Sequence, residues 1–221
     1  MEFFAHLDWG ELGNAVIETL SMLATSLPLM ILLGLPMGVL LYLTAPKQLL
    51  DHKKAFATLS FFTNLLRSVP FAILLIVLIP FTEILTGGVS YGVRGMIPPL
   101  VIGASPLFAR LVETALREVD KGIIEASLAM GASTRQIVFR VLLPEAMSGI
   151  VAAITVMGVT LISFIAMSGL VGGGGLGDLA VRRGYQGYQP DVMLITVILL
   201  IVLVQALQMV GDKWVRKVSH R

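Results

Sequence analysis

The feature that most constrains this chain is a series of five long apolar stretches, at residues 15–43, 69–85, 95–112, 147–170 and 192–210. A helix needs about 20 mainly apolar residues to cross the roughly 30 Å hydrocarbon core of a bilayer. Only 14% of the residues are charged, whereas soluble domains carry about 25%. The pattern therefore predicts an all-α integral membrane protein with five transmembrane helices, forming one domain over residues 1–221.

The basic residues are divided unequally between the two sides of these stretches. Twelve of the sixteen Lys and Arg residues flank one side, whereas Arg94, Arg182 and Arg183 flank the other. Because cytoplasmic loops carry the excess of basic residues, the N-terminus is predicted outside and the C-terminus inside. The remaining residue, Arg67, is expected at the cytoplasmic interface, after an amphipathic helix over residues 56–66. This distribution explains the basic pI by topology and does not indicate nucleic-acid binding.

The loop between the third and fourth stretches has an ordered pattern of its own. Glu113 and Arg117 are four residues apart, which favours an ion pair on a helix that continues the third span. Further on, the sequence EASLAMGAS occupies residues 125–133. Gly131 can take the left-handed conformation that ends a helix, and residues 135–142 can form a second helix. Pro144 is expected in the first turn of the fourth span, because it has no N–H to leave unpaired.

This loop resembles the EAA motif of bacterial ABC importer permeases, which reads Glu-Ala-Ala, then Gly after three residues, then Ile-x-Leu-Pro. Ser127 replaces the last Ala and Val141 replaces the Ile. The resemblance implies a cytoplasmic coupling segment at about 118–144 that contacts a separate ATPase subunit, which binds ATP and Mg. The residues that it assigns to this contact are Glu125, Ala126, Ser127, Met130, Gly131, Ala132 and Pro144.

The chain is also similar to the permeases of bacterial methionine importers. The less specific matches that carry this resemblance lie at residues 67–71, 80–82 and 184–188, and the compact length agrees with it. This resemblance implies the type I ABC importer permease fold and location in the bacterial cytoplasmic (inner) membrane. It further implies a homodimer with two ATPase subunits and an extracytoplasmic methionine-binding lipoprotein, with D- or L-methionine moved by alternating access. A permease for another amino acid remains open, as does an ion-coupled carrier or membrane enzyme.

The sequence does not predict a nucleotide, catalytic or metal site in this chain. The run at residues 172–177 satisfies G-x-G-x-x-G, but it lies outside any βαβ unit and is instead expected to form a compact outer loop. No Gly-Lys pair exists, so the chain has no phosphate loop and is not expected to be an ATPase or another enzyme. His6, His52 and His220 lie in separate flanks, and no metal or cofactor site is predicted.

Three features inside the stretches also carry expectations. Met167 lies where the fourth stretch meets the glycine run and is a candidate pore gate, with ordinary packing as the alternative. Glu18 is expected to be an interfacial carboxyl group, with a proton site as the alternative. Gly34 and Gly38 form a small-xxx-small pattern that would let two helices pack closely.

Overall fold

The computed structural model describes residues 8–219, and every regular element in this range is helical. The helices are α1 (Trp9–Thr44), α2 (Lys53–Ser68), α3 (Phe71–Val77), α4 (Ile79–Thr86), α5 (Gly92–Arg117), α6 (Lys121–Ala129), α7 (Thr134–Ile137), α8 (Leu143–Glu145), α9 (Met147–Ser168), α10 (Gly175–Leu179) and α11 (Pro190–Ser219). Val138–Leu142 and Ala180–Tyr185 are π-helical, and Gly169–Val171 is a 3₁₀ turn. The predicted all-α class is confirmed.

Four helices, α1, α5, α9 and α11, are long and apolar enough to cross a bilayer. In the described part of the chain, α2 and α3 qualify together as a fifth span, with a bend of 102° between them. Three of these helices, α1, α5 and α11, extend beyond the apolar stretches. At 1.5 Å per residue, α11 is about 45 Å long, more than a bilayer core requires.

The predicted second span is not one helix. The structure interrupts it at Leu78, which separates α3 from α4. Pro80 explains the break, because its ring has no N–H to donate to the carbonyl of Ile76 and collides with that carbonyl in a regular helix. The amphipathic helix expected before this span is present as α2, which ends just after an exposed Arg67.

The structure forms two compact units. Within the described residues, the first comprises 8–30, 69–104 and 158–208, and the second comprises 31–68, 105–157 and 209–219. In the first unit, Leu12 and Ala15 form a buried apolar cluster with Leu176, Leu179 and Val192. The prediction of a single domain over 1–221 stays a prediction.

In the second unit, α1 packs closely against α5. A Cβ atom added at Gly34 would lie 2.8 Å from the carbonyl oxygen of Ser105, and one added at Gly38 would lie 2.6 Å from that of Ala109. Only hydrogen fits at either position. The structure thus confirms the close packing expected from the small-xxx-small pattern.

Candidate functional site

The predicted coupling segment, about residues 118–144, contains α6, and Asp120 caps the first turn of this helix. The Oδ1 atom of Asp120 accepts a hydrogen bond of 2.7 Å from the backbone N–H of Gly122. A side-chain oxygen at this position satisfies one of the N–H groups that a helix leaves unpaired at its start. Because only residues 118–120 separate α6 from α5, the coupling segment continues directly from a predicted membrane span.

The segment turns sharply at Gly131, as the sequence predicts. Gly131 has φ of +79°, and its N–H donates to the carbonyl of Leu128 at 2.9 Å. The N–H of Ala132 donates to the carbonyl of Ser127 at 3.1 Å, which closes the Schellman arrangement at the end of α6. The turn therefore satisfies its own carbonyl groups without help from a neighbouring protein.

A capping box opens α7 immediately after this turn. The hydroxyl oxygen of Ser133 accepts from the N–H of Gln136 at 3.4 Å, and Gln136 Oε1 accepts from the N–H of Ser133 at 2.8 Å. Two backbone donors are satisfied reciprocally. Since α6 ends and α7 begins with complete capping, the pair has the geometry of a preformed hairpin.

One side of the hairpin is buried and the other is open. Ile124, Ser127 and Ile137 are buried, and the hydroxyl of Ser127 donates to the carbonyl of Ile123 at 2.8 Å. The remaining candidates are exposed, except for the half-buried Ala132; they are Glu125, Ala126, Met130, Gly131 and Pro144. Met130 is 82% exposed, so its side chain is accessible to a partner protein.

The position of Pro144 requires a correction. It was expected in the first turn of the fourth span, but it lies in the three-residue α8, before α9 begins at Met147. The π-helical segment Val138–Leu142 immediately precedes α8. Proline cannot donate to the carbonyl four residues earlier, and a wider π turn relieves its collision with that carbonyl.

A cluster of charged side chains stabilises the last turns of α5, just before the predicted coupling segment. Glu113, which is only 4% exposed, lies 2.7 Å from Arg117 and 2.7 Å from Arg110. Arg110 also donates to Asn64 of α2 at 3.1 Å. The spacing of Glu113 and Arg117 predicted their pair. The (i, i+3) spacing of Arg110 was a second available signal, whereas nothing in the sequence indicated Asn64.

A groove of about 330 Å³ adjoins the exposed side of α6. It is lined by the connection between α1 and α2 and by α6, through Lys47, Gln48, Leu49, Lys121, Ile124, Glu125 and Leu128. Lys47 has a left-handed φ of +65°, and its N–H donates to the Asp51 carboxyl group at 3.0 Å. Sequence reasoning missed this side of the surface, because its residues are far from the motif along the chain.

On the predicted outer side, Met167 lies in the last turn of α9 and is 37% exposed. Residues 172–174 of the glycine run form the loop that the sequence predicts, whereas Gly175, Leu176 and Gly177 form the first turn of α10. We call the stretch 172–177 the outer glycine loop. The structure thus places Met167 where the sequence expects it, and its role as a gate stays a prediction.

An ion-pair cluster also lies on the predicted outer side. Arg182 is 2.9 Å from Glu11 and 3.2 Å from Asp178, and Arg183 is 3.2 Å from Glu11. The hydrogen bond to Glu11 is the main cause that raises the pKa of Arg182. Sequence reasoning used these arginines only as topology signals and did not pair them.

No group of three or more His, Asp or Glu side chains within residues 8–219 is arranged to hold a metal ion. His52 caps the start of α2, where its Nδ1 accepts from the N–H of Ala55 at 3.1 Å. His6 and His220, the other two histidines, lie outside the described residues.

The helical spans and the capped hairpin of α6 and α7 are compatible with the importer permease that the sequence predicts, and the family comparison shows that class. The family described as binding-protein-dependent transport system inner membrane component matches residues 31–220, and this chain belongs to it. The predictions of a type I importer permease fold and of a multi-pass protein in the bacterial inner membrane are confirmed. The family is a transport component and not a known enzyme.

Individual relatives are similar over their whole length. The probable D-methionine transport system permease protein MetI of Vibrio cholerae is 43% identical over 100% of both chains. The methionine import system permease protein MetP of Bacillus subtilis is also 43% identical, over 96% of this chain and 95% of the relative. The resemblance to methionine-importer permeases that the sequence suggested is confirmed.

Solved structures agree with this fold. An inward-facing conformation of the MetNI methionine ABC transporter matches with a TM-score of 0.92 and 47% identity, covering 95% of this chain and 96% of that chain. An amino acid ABC transporter matches with a TM-score of 0.80 at 17% identity, covering 98% of this chain and 99% of that one, and shows the shared fold alone.

Proposed function

We propose that this chain is the permease subunit of an ATP-driven importer that moves D- and L-methionine across the cytoplasmic membrane. The observation that carries the proposal is the full-length similarity to the MetNI methionine ABC transporter, at 47% identity. The two methionine permeases with 43% identity support the same substrate. Composition does not contribute, because the eleven methionines of the chain are ordinary apolar residues.

The proposed assembly contains two copies of this chain, two ATPase subunits and an extracytoplasmic methionine-binding lipoprotein. ATP and Mg would be bound by the ATPase subunits. Five spans enclose little space alone, and a route along the two-fold axis of a dimer is the simplest closed arrangement. The binding protein supplies affinity, so the permease needs only weak contacts with its cargo.

In this proposal, the hairpin of α6 and α7 is the contact with the ATPase subunit. Its exposed Glu125, Met130 and Gly131 form the docking surface, and its buried Ile124 and Ile137 hold the hairpin together. ATP-driven closure of the ATPase subunits would move the two hairpins, and the short link at residues 118–120 would pass this movement to α5. Hydrolysis would then return the pathway to its inward-facing state.

The experiment is uptake of labelled substrate by proteoliposomes that contain this chain with its ATPase and binding protein. We expect accumulation of L- and D-methionine that requires ATP at the ATPase side and stops when a non-hydrolysable analogue replaces it. A panel of other labelled amino acids is the matched control. Uptake of another amino acid without methionine would overturn the substrate, and uptake that ignores ATP would favour an ion-coupled carrier.

A further inference from the structure

Glu18 of α1 binds the backbone of the outer glycine loop, 157 residues further along the chain. Its Oε2 atom accepts a hydrogen bond of 2.6 Å from the N–H of Gly175. The neighbouring Thr19 accepts from the N–H of Leu176 at 2.9 Å, while its own hydroxyl donates to the carbonyl of Ala15. Two consecutive residues of α1 therefore hold two consecutive N–H groups of the loop.

These contacts explain why a glutamate stands inside an apolar helix. The first N–H groups of α10 have no partner within their own helix, and an unpaired N–H away from water costs free energy. Glu18 and Thr19 supply the missing acceptors. The structure therefore gives Glu18 a partner in the protein itself, which neither the interfacial reading nor the proton-site reading of the sequence anticipated.

Gly174 and Gly175 lie directly against the side chains of Glu18 and Thr19. A Cβ atom added at Gly174 would lie 2.7 Å from Glu18 Oε2, and one added at Gly175 would lie 2.6 Å from Thr19 Oγ1. Both glycines also have left-handed φ values, +78° and +77°. Only a backbone without side chains can approach α1 so closely, which indicates that the loop is shaped to fit these acceptors.

The same loop is tied to the helix end that carries Met167. The N–H of Gly173 donates to the carbonyl of the fully buried Ser168 at 2.9 Å, and Ser168 follows Met167 directly. The carbonyl of Gly172 accepts from the N–H of Gly92, the first residue of α5, at 2.9 Å. The loop thus joins the outer parts of α1, α5 and α9 within the first unit.

We infer that Glu18 is a positioning residue for outer closure of the pathway: by accepting the Gly175 N–H, it fixes the glycine loop and thereby the end of α9 that presents Met167. The inference rests on the proposed transport function. Outer closure then depends on the hydrogen bonds between α1 and the backbone of the loop, which we call the clasp, and not on Met167 alone. Movement of the outer part of α1 would carry the loop with it.

The test uses the fact that the chain contains no cysteine. Met167→Cys gives a single reporter for a membrane-impermeant maleimide added from the predicted outer side. The reporter is placed in chains with Glu18, Glu18→Gln and Glu18→Leu, each assembled with the ATPase without nucleotide. Gln keeps an acceptor oxygen of similar reach, whereas Leu has a similar volume and no acceptor. Thr25→Val on α1 is the control, because Thr25 bonds only its own helix at Ser21.

We expect Glu18→Leu to raise the labelling rate about fivefold, as loss of one hydrogen bond implies, and Glu18→Gln to stay near the parent rate. Equal rates in all three chains, or an equal increase for Gln and Leu, would overturn the inference. If the Leu variant does not assemble, Glu18→Asp decides, because it keeps the carboxyl group but withdraws it by one methylene. Faster labelling of the Asp variant supports the clasp, and an unchanged rate overturns it.

Uptake measured in chains that retain Met167 separates this inference from the proposed function. We expect Glu18→Leu to reduce methionine uptake per ATP hydrolysed while Thr25→Val leaves the ratio unchanged. Absence of methionine uptake by the parent chain would contradict the proposed function. Parent uptake with an unaltered ratio in Glu18→Leu would contradict only the role of Glu18.

Discussion

The hairpin turn at Gly131 and the outer loop around Gly177 use glycine for opposite reasons. Gly131 has φ of +79° and empty space around it, since a Cβ atom there would meet nothing within 4 Å. Gly177 is buried, and a Cβ atom there would overlap the carbonyl oxygen of Ala166. The hairpin turn leaves open space beside its glycine, whereas the outer loop packs against its own helices. An open turn tolerates change that an enclosed one does not.

The largest effect is expected for Gly177→Ala. The added methyl group overlaps backbone atoms of α9, which cannot rotate away, so the loop must be displaced. We expect a loss of stability above about 4 kcal/mol, seen as little or no monodisperse protein in gel filtration. Gly13→Ala is the control, because nothing lies within 4 Å of a Cβ atom there. Normal yield of Gly177→Ala would show that the outer loop is not tightly enclosed.

Glu113→Gln tests the ion pairs at the end of α5, the helix that precedes the hairpin, and not the exposed surface of the hairpin. Loss of the buried carboxylate leaves Arg110 and Arg117 without their shared partner. Because Arg117 is half exposed, we expect the lower end of the range for broken buried pairs, about 3 kcal/mol. The measurement is the thermal midpoint of the purified assembly. Glu118→Gln, at an exposed neighbouring position, should leave the midpoint unchanged.

Gly131→Ala should have a smaller effect. The alanine side chain meets no atom, so only the left-handed backbone is penalised, by about 1 kcal/mol. Gly131→Asn should lose less stability than Gly131→Ala, since asparagine adopts the left-handed conformation more readily. Thermal midpoints in the order Gly, Asn, Ala are expected, with uptake following the same order. A loss as large as that of Gly177→Ala would mean that the two turns do not differ as described.

Ser133→Ala should have the smallest effect. It removes the side-chain oxygen that caps α7. Because that hydrogen bond is long, at 3.4 Å, we expect a loss at the low end of the range for lost caps, about 0.5 kcal/mol, felt only locally. We expect faster hydrogen exchange at the Gln136 amide with little change in the thermal midpoint. Thr134→Ala leaves the cap in place and serves as the control. Unchanged exchange at Gln136 would contradict the capping box.

Local spacing made the hairpin predictable from the sequence. Gly131 after a helical stretch and Glu113 four residues before Arg117 are short-range signals, and the structure confirms both. The short-range rules failed where proline interrupts a helix. Pro80 lies in an apolar stretch whose hydropathy predicts one continuous span, so the break at Leu78 was not predicted. The π turn before Pro144 has no simple sequence signal.

The outer loop was predictable only as a loop. Glu18 and Gly175 are 157 residues apart, and no periodicity or charge pattern in one chain relates positions at that distance. The groove beside α6 escaped prediction for the same reason, because Lys47 and Glu125 meet only in the folded chain. In both units, features that the sequence did not predict depend on contacts between residues far apart along the chain.

The most direct test of the account is site-specific cross-linking of the hairpin to the ATPase subunit. A photoactivatable maleimide attached at Met130→Cys is compared with the same probe at Tyr188→Cys, which is at least as exposed, at 90% against 82%, but lies on the predicted outer side. We expect an adduct with the ATPase subunit from position 130 and none from position 188. An assembly that still imports methionine with ATP, yet gives no adduct at 130 or gives one at 188, would contradict the assignment of α6 and α7 as the coupling contact.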